Sequence, residues 1–225
     1  MKRILMASVF ALGPILGLTA IANAGPMVSL ALQESGTNGG VMTPVGTSAA
    51  ADTGTSFSGS YGTFTLNQLS ASGTTTAGDA FSTTSLNTSS STAGVLTVYA
   101  TVTGLTNPIG AYNILSGLTE NILTGAAISV AEATYVDQTN AAFGMTTELA
   151  SHTFTAIGTD SVITGTPVLT APYSLTEVFT ITATGSGKAS STISMTDVPE
   201  PGSLALLGTG LVGLGLILRR RQKRS

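Results

Sequence analysis

Short runs in which apolar and hydroxyl residues alternate recur along the chain from about residue 53 onward. The clearest run is VFTITAT, residues 178–184, where Phe179, Ile181 and Ala183 are separated by Thr. Successive side chains of a strand point to opposite faces, so this run has one apolar face and one hydroxyl face. The alternation predicts an antiparallel sheet that packs on one side only.

Similar runs are rich in Val, Ile, Thr, Phe and Tyr and are bounded by Gly, Pro, Asn and Asp, which are turn residues. They occupy residues 95–103, 127–137, 153–157, 162–170, 174–184 and 189–195, and aromatic residues also cluster around Gly59 and Gly62. Several such strands predict an all-β exterior, an antiparallel β-sandwich of the jelly-roll-like or immunoglobulin-like type.

Two segments lack this strong pattern. Residues 25–52 contain few large apolar side chains, so we expect a flexible Gly/Ser/Thr-rich segment or an edge segment there. Residues 70–93 are rich in Ser and Thr and predict a long loop with a weak strand over residues 81–86. The sandwich exterior is therefore predicted to span residues 53–197.

The first 24 residues have the layout of a secretory signal peptide. Lys2 and Arg3 precede an apolar run, and Ala22 and Ala24 then supply the small-x-small site that signal peptidase accepts. Cleavage is predicted between Ala24 and Gly25. The alternative is an uncleaved membrane helix, which a Gly-Pro pair within the run and the small-residue site after it both disfavour.

The other end of the chain predicts a membrane anchor. Residues 203–218 are 16 uncharged and mostly apolar residues, about 24 Å of helix. A cluster of bases follows directly: Arg219, Arg220, Arg221, Lys223 and Arg224. Such a cluster stops transfer and stays in the cytoplasm, so the exterior is expected on the other side of the inner membrane. A buried core helix, the alternative, would leave five cations at its end without a role.

These parts together carry a family resemblance. Val198, Pro199, Glu200 and Pro201, followed by an apolar segment and an Arg cluster, resemble the PEP-CTERM sorting signal of exported Gram-negative proteins, over residues 198–225. The resemblance implies recognition of Pro199, Glu200 and Pro201 by an exosortase, a membrane-embedded cysteine protease. It also implies release to the cell surface or extracellular matrix of a biofilm, with exopolysaccharide as a neighbour. The two prolines keep this stretch extended and unpaired, which suits a protease substrate.

Charge and cysteine content exclude several kinds of function. Only 8% of the residues are charged, against about 25% in an average soluble domain. Between residues 25 and 198 there are ten acids and one base, Lys188, a net charge of −9. Nucleic-acid binding needs clusters of Lys and Arg, and is therefore not expected. The absence of Cys excludes disulfides and thiolate metal ligands.

The exterior offers few residues for chemistry, and we predict no catalytic, cofactor-binding or metal-binding residues. His152, the single histidine, follows Ser151, but nothing around them has the form of a nucleophile turn. The oxygen-rich residues 137–140 predict a turn, with a calcium loop as the alternative. Thr-x-Thr pairs recur at 63/65, 101/103, 153/155 and 180/182. They could contact ice or sugar hydroxyls, or they could be ordinary solvent-facing threonines.

The sequence thus predicts a non-enzymatic surface or matrix protein with a structural or adhesive role. The alternative is a carbohydrate- or ice-binding module, and an exported hydrolase is the third hypothesis.

Overall fold

The computed structural model describes residues 25–48, 54–73, 80–125, 128–198, 207–212 and 214, with only the backbone described for residues 80–83. In these ranges the chain forms twelve strands and one short 3-10 turn, Asn38–Gly40. The strands are β1 (Met27–Glu34), β2 (Thr43–Thr47), β3 (Gly54–Tyr61), β4 (Phe64–Gly73), β5 (Ala80–Ser90), β6 (Gly94–Leu105), β7 (Asn113–Gly125), β8 (Ser129–Asp137), β9 (Thr147–Phe154), β10 (Gly158–Gly165), β11 (Tyr173–Ala183) and β12 (Gly187–Val198).

The described strands form two six-stranded sheets in which every pairing is antiparallel. Sheet 1 has the order β2-β1-β6-β11-β8-β9, and sheet 2 has the order β10-β7-β12-β5-β4-β3. Their inner faces share one apolar core, to which sheet 1 contributes Leu96 and Phe179 and sheet 2 contributes Leu69, Leu118 and Ile193. The predicted all-β class with antiparallel sheets is confirmed.

The described strand count does not single out either of the two predicted subtypes. Twelve strands exceed the seven to nine of an immunoglobulin domain and the eight of a jelly roll. Burial follows the alternation expected for two packed sheets: along β12 every second residue from Ala189 to Asp197 is buried.

The expectation of a flexible segment over residues 25–52 is wrong for most of its length. β1 pairs with β6 along its whole length, from Met27 opposite Thr103 to Glu34 opposite Leu96. Its inward side chains are fully buried, with Leu30 and Leu32 at 0% exposure. The edge alternative fits β2, which pairs only with β1 within the described residues. Low overall hydrophobicity hid a strand whose buried large apolar residues, Val28, Leu30 and Leu32, lie on one face.

Two other sequence expectations need correction. The predicted weak strand at residues 81–86 is part of β5, an eleven-residue strand paired with both β4 and β12. Its Ser and Thr residues accept strand geometry because neighbours on both sides satisfy the backbone. Residues 153–157, predicted as a strand, cover the end of β9 and the turn that leads into β10.

A loop between β8 and β9 covers part of the outer face of sheet 1. The Ser174 hydroxyl donates to the Ala141 carbonyl (2.8 Å), and the Asn140 side chain accepts from the Gly104 N–H (2.7 Å). The Phe143 ring meets Tyr99 edge-on, with centroids 6.2 Å apart. The prediction that the sheet packs on one face only therefore holds just for the part of sheet 1 that this loop leaves uncovered.

Candidate functional site

Both ends of the exterior leave the sandwich at the same pole. Met27, at the start of β1, pairs with Thr103 near the end of β6. Val198, at the end of β12, pairs with Asn113 at the start of β7. Residues 106–112 connect these ends of β6 and β7, so the predicted signal peptide and sorting tail both attach at this side.

The predicted processing residues lie almost entirely outside the described ranges. Gly25, the residue after the predicted cleavage site, is exposed. The others fall outside: Ala22, Ala24, Pro199, Glu200, Pro201, Arg219, Arg220, Arg221, Lys223 and Arg224. Residues 207–212, within the predicted membrane helix 203–218, are helical and exposed. In the part of the chain that the structure describes, no helix has the length and hydropathy that a membrane span requires.

Most acids of the described exterior are inside the protein, a reversal of the usual arrangement. Six are buried: Glu34, Glu120, Glu132, Asp137, Glu177 and Asp197. Apart from these six acids, the formally charged side chains of the described exterior are Glu148, Asp160 and Lys188. The net charge of −9 between residues 25 and 198 therefore overstates the charge that the described part of the exterior exposes.

Glu34 ties the two sheets together. It ends β1, and its carboxylate accepts hydrogen bonds from the Thr63 N–H and from the Thr63 hydroxyl (2.6 Å) in the turn between β3 and β4. The Thr37 hydroxyl donates to it as well (3.0 Å). A Cβ at Gly62 would overlap this carboxylate, and Gly62 has a φ of 59°. The turn therefore needs Gly, and Glu34 has a structural role.

A second group of acids spans the core between β7 and β8. The Ser191 hydroxyl donates to Glu120 (2.5 Å), which also accepts from the Ser190 N–H (3.1 Å). Glu132 accepts from the Thr119 N–H (3.0 Å) through one oxygen, and its other oxygen has no hydrogen-bond partner in the described part of the chain. Burial, and then the nearby Glu120, raise the pKa of Glu132 to about 8, and burial also raises the pKa of Glu120.

This carboxyl pair lies inside the sandwich. Glu120 and Glu132 are 2% and 0% exposed, so both carboxyls are closed off from solvent. With its raised pKa, Glu132 carries a proton at neutral pH, which avoids two negative charges in the core. Glu120 and Glu132 are well separated along the chain, and only the fold brings them together inside the sandwich.

His152 has an acidic partner at the open side between the two sheets. Its Nδ1 lies 3.1 Å from an Asp160 oxygen, and its ring is 4.4 Å from that of Phe154. The Ser151 hydroxyl, the nearest candidate nucleophile in sequence, donates to Glu148 instead (2.7 Å). The pair links edge strands β9 and β10, and this arrangement does not form a Ser-His-acid triad.

Residues 137–140 form the predicted turn. One Asp137 oxygen accepts both the N–H and the hydroxyl of Thr139, each at 2.7 Å. Burial alone would raise the pKa of Asp137, but these hydrogen bonds lower it below its usual value. No group of three or more His, Cys, Asp or Glu within the described residues could hold a metal ion.

The predicted Thr pairs do not form one surface. Thr101 and Thr103 are buried on the outer side of sheet 1, where the Thr101 hydroxyl donates to the Leu175 carbonyl (3.0 Å). The Thr63 hydroxyl bonds Glu34 in a turn, and Thr155 also lies in a turn. Spacing along one strand does not reveal which residues the neighbouring strands place beside it.

The hydroxyls that align do so across strands, on the outer face of sheet 2. Register puts one Ser or Thr from each of its six strands in a single row: Thr159, Thr119, Thr192, Ser85, Ser70 and Ser56. Five strand spacings make the row about 24 Å long. At its β3 end lies a shallow depression of about 580 Å³ lined by Ser56, Ser70, Ser72 and Ser85, among others. We call this outer face the hydroxyl face.

Comparison with known proteins identifies the C-terminal segment first as a protein-sorting signal. The model of the PEP-CTERM protein-sorting motif matches residues 197–221. The chain carries this motif, and the resemblance seen in the sequence is confirmed. The motif implies an exported protein that exosortase recognises and that is anchored in the membrane before it is processed.

The remaining comparisons add little about the exterior. No curated protein matches the chain in sequence. One similar solved structure is the enzymatically active domain of tailspike protein 4 of bacteriophage CBA120, at 16% identity and a TM-score of 0.33. The match covers 61% of this chain and 20% of that one. So low a score carries no argument about the fold or activity of this protein.

Proposed function

We propose that this protein is a non-enzymatic surface or extracellular-matrix component with a structural or adhesive role, delivered by signal peptidase and exosortase. The observation that carries the proposal is the PEP-CTERM motif, which overlaps the end of β12. The last strand of the sandwich thus leads directly into the sorting signal, with no further domain between them. An exterior joined in this way to the signal is the cargo that is sorted.

Three features of the exterior support a display role. Both chain ends leave from one pole, so the opposite pole faces away from the membrane during sorting. The buried carboxyl pair is closed to substrates. The Ser151 hydroxyl donates to Glu148 and not to His152, so it does not supply the His152–Asp160 pair with a nucleophile. The described surface is almost free of formal charge, which suits contact with neutral polymers such as exopolysaccharide.

Intact mass spectrometry of the surface form tests the processing part. In a host with a working exosortase, the mass should lack residues 1–24 and the basic tail. A variant with Pro199, Glu200 and Pro201 all replaced by Ala should keep the tail, whereas Ser194→Ala, on β12 just before the motif, should be processed normally. A surface form that retains the whole C-terminal segment in the competent host would show that the tail is only an anchor.

The hydroxyl face supports a second candidate, a carbohydrate- or ice-binding module. Its six-strand row presents hydroxyls at the spacing of neighbouring strands, about 4.8 Å. Glycan-array binding or thermal hysteresis that is lost in Thr192→Lys, at the centre of the row, would favour this candidate over the first. The exported hydrolase stays the third candidate. A hydrolytic activity that disappears in His152→Ala would favour it over the other two.

A further inference from the structure

The two sheets end in four edge strands, which are not equally protected. Within the described residues, β2 and β9 are the edges of sheet 1, and β10 and β3 are the edges of sheet 2. An edge strand exposes unpaired N–H and C=O groups that can pair with another strand. Proteins protect such edges with short strands, Pro, charged residues or bulges.

Three of these edges carry such protection. β2 has five residues and contains Pro44, which cannot donate to a partner strand. β9 contains Glu148 and His152. β10 contains Asp160, which contacts His152 across the open side of the sandwich. Pairing along β9 or β10 would bring a partner strand against these charged or polar side chains.

Across the sandwich from β2, whose Gly46 lies beside Thr55 and Ser56, β3 has none of these devices. Its sequence, GTSFSGSY, contains neither Pro nor a charged residue over eight residues. Ser56, Ser58 and Ser60 are exposed on the hydroxyl face, and Phe57 and Tyr61 are only partly buried against the core. The irregularity in its pairing with β4 is an extra residue in β4, around Asn67, so β3 gains no residue there, although Gly59 opposite it has a φ of 148°.

We propose that β3 is an assembly edge, along which a second copy of this chain pairs antiparallel. Two copies of the same edge strand form a self-complementary interface with two-fold symmetry. Two uncharged GTSFSGSY strands do not repel each other, and the paired sheets continue as one sheet of twelve strands. Pairing also gives the half-buried Phe57 and Tyr61 additional apolar cover at the seam.

The proposal deepens the proposed function, because it names the partner through which a structural matrix component would build a larger assembly. The nearly uncharged surface supports it, since net charge is what usually keeps proteins apart in solution. The other possible occupant of the edge, a strand from a different protein, is one outcome of the test below.

Cysteine cross-linking of the full chain tests the pairing without background, because the protein has no native Cys. Ser56→Cys, Ser58→Cys and Ser60→Cys are expressed singly in an exporting host and oxidised on intact cells. Opposed residues in an antiparallel pair lie about 4.5–5.5 Å apart between Cα atoms, within the reach of a disulfide. A residue faces its own copy only when the two-fold axis passes through it, so the three variants are also co-expressed in pairs. At least one variant or pair should form a disulfide-linked dimer.

Two matched variants distinguish edge pairing from other contacts. Ser161→Cys is exposed on β10, a protected edge of the same sheet. Thr65→Cys is exposed on β4, one strand inward, and edge-paired copies would hold it about 14 Å from its counterpart, three strand spacings. Both should yield roughly tenfold less dimer than the best β3 variant. Ser58→Lys, added to the Ser56→Cys chain, should reduce its dimer by a similar factor.

The outcomes decide the proposal. Dimer from β3 cysteines alone supports it. Equal dimer from Thr65→Cys indicates a face-to-face contact, adducts only to other proteins indicate a different partner, and no adduct at all indicates a free edge; each of these overturns it. The gel also separates unprocessed from processed chains, so failure of pairing and failure of exosortase processing are read independently.

Discussion

At the scale of single residues, the buried acids show how local chemistry departs from the average. Glu34 is satisfied by hydrogen bonds from Thr37 and Thr63, and Asp137 by those from Thr139. Glu132 keeps one oxygen without a partner among the described residues, and burial, with the nearby Glu120, raises its pKa to about 8. A buried carboxyl that lacks enough donors is most stable with its own proton.

Glu132 should therefore make the stability of the protein fall as pH rises. Its proton is bound more tightly in the folded state, so the stability linked to it is full below the ordinary value of 4.5 and is lost as pH rises towards about 8. Between about pH 5 and 8 the free energy of unfolding should fall by on the order of 3 kcal/mol. Glu132→Gln should remove most of this slope, as measured by urea unfolding across pH.

The neighbouring groups determine how complete that effect is. Glu120 has a raised pKa and leaves a residual slope, and Glu177 of β11 faces the same core from the adjacent strand. Glu148→Gln, at an exposed position, is the control and should keep the wild-type slope. An unchanged slope in Glu132→Gln would mean that this carboxyl is already ionised in the folded protein.

At the scale of elements, β1 is the strand whose role differs most from expectation. It lies between β2 and β6, and its inner face is completed by Leu30 and Leu32, both at 0% exposure. Its terminal Glu34 reaches across to the turn of the β3–β4 hairpin. β1 is therefore part of the core and also a link between the sheets.

Shortening one side chain of β1 tests this role. Leu32→Ala should lower the free energy of unfolding by about 2–5 kcal/mol, the usual cost of a cavity in a packed core. Val41→Ala, which removes part of a side chain that is 61% exposed just before β2, should change it by less than about 0.5 kcal/mol. Equal small effects in chemical denaturation would restore the interpretation of residues 25–52 as loosely attached.

The alternation of residue types predicted some strands well and others poorly. β6, β8, β11 and β12 were recognised because each combines β-branched residues with turn residues at both ends. β5 and β7 were missed or underestimated, since Ser, Asn and Gly fill many of their outward positions. Their strand conformation comes from pairing on both sides, which no local pattern records.

At the scale of the whole molecule, the distribution of charge links fold to proposed use. The sequence places seven of eight bases at its two ends, and the fold buries six of the described acids. What remains outside is a hydroxyl-rich surface with one pole joined to both terminal segments. Such a surface relies on hydrogen bonding and close contact for recognition, with little long-range electrostatic steering.

Assembly along β3 should accordingly depend little on salt. Raising NaCl from about 50 to 500 mM screens surface charges almost completely, and we expect the yield of β3 cross-linked dimer to change by less than about twofold. Dimer yields measured on whole cells at both salt concentrations provide the comparison. A steep loss in high salt would show that charged groups, rather than backbone pairing, hold the copies together.

The sequence by itself determined that the protein is exported and sorted through a PEP-CTERM motif, and that it belongs to the all-β class. Sorting signals are short stretches recognised in linear order, so Pro199, Glu200 and Pro201 between a strand and an apolar segment are readable without a fold. Alternation within a strand is equally local. Tertiary structure alone decided which acids meet in the core, which hydroxyls align and which edge is left unprotected. Those features depend on register between strands distant in sequence, and register is set by packing of the whole sandwich.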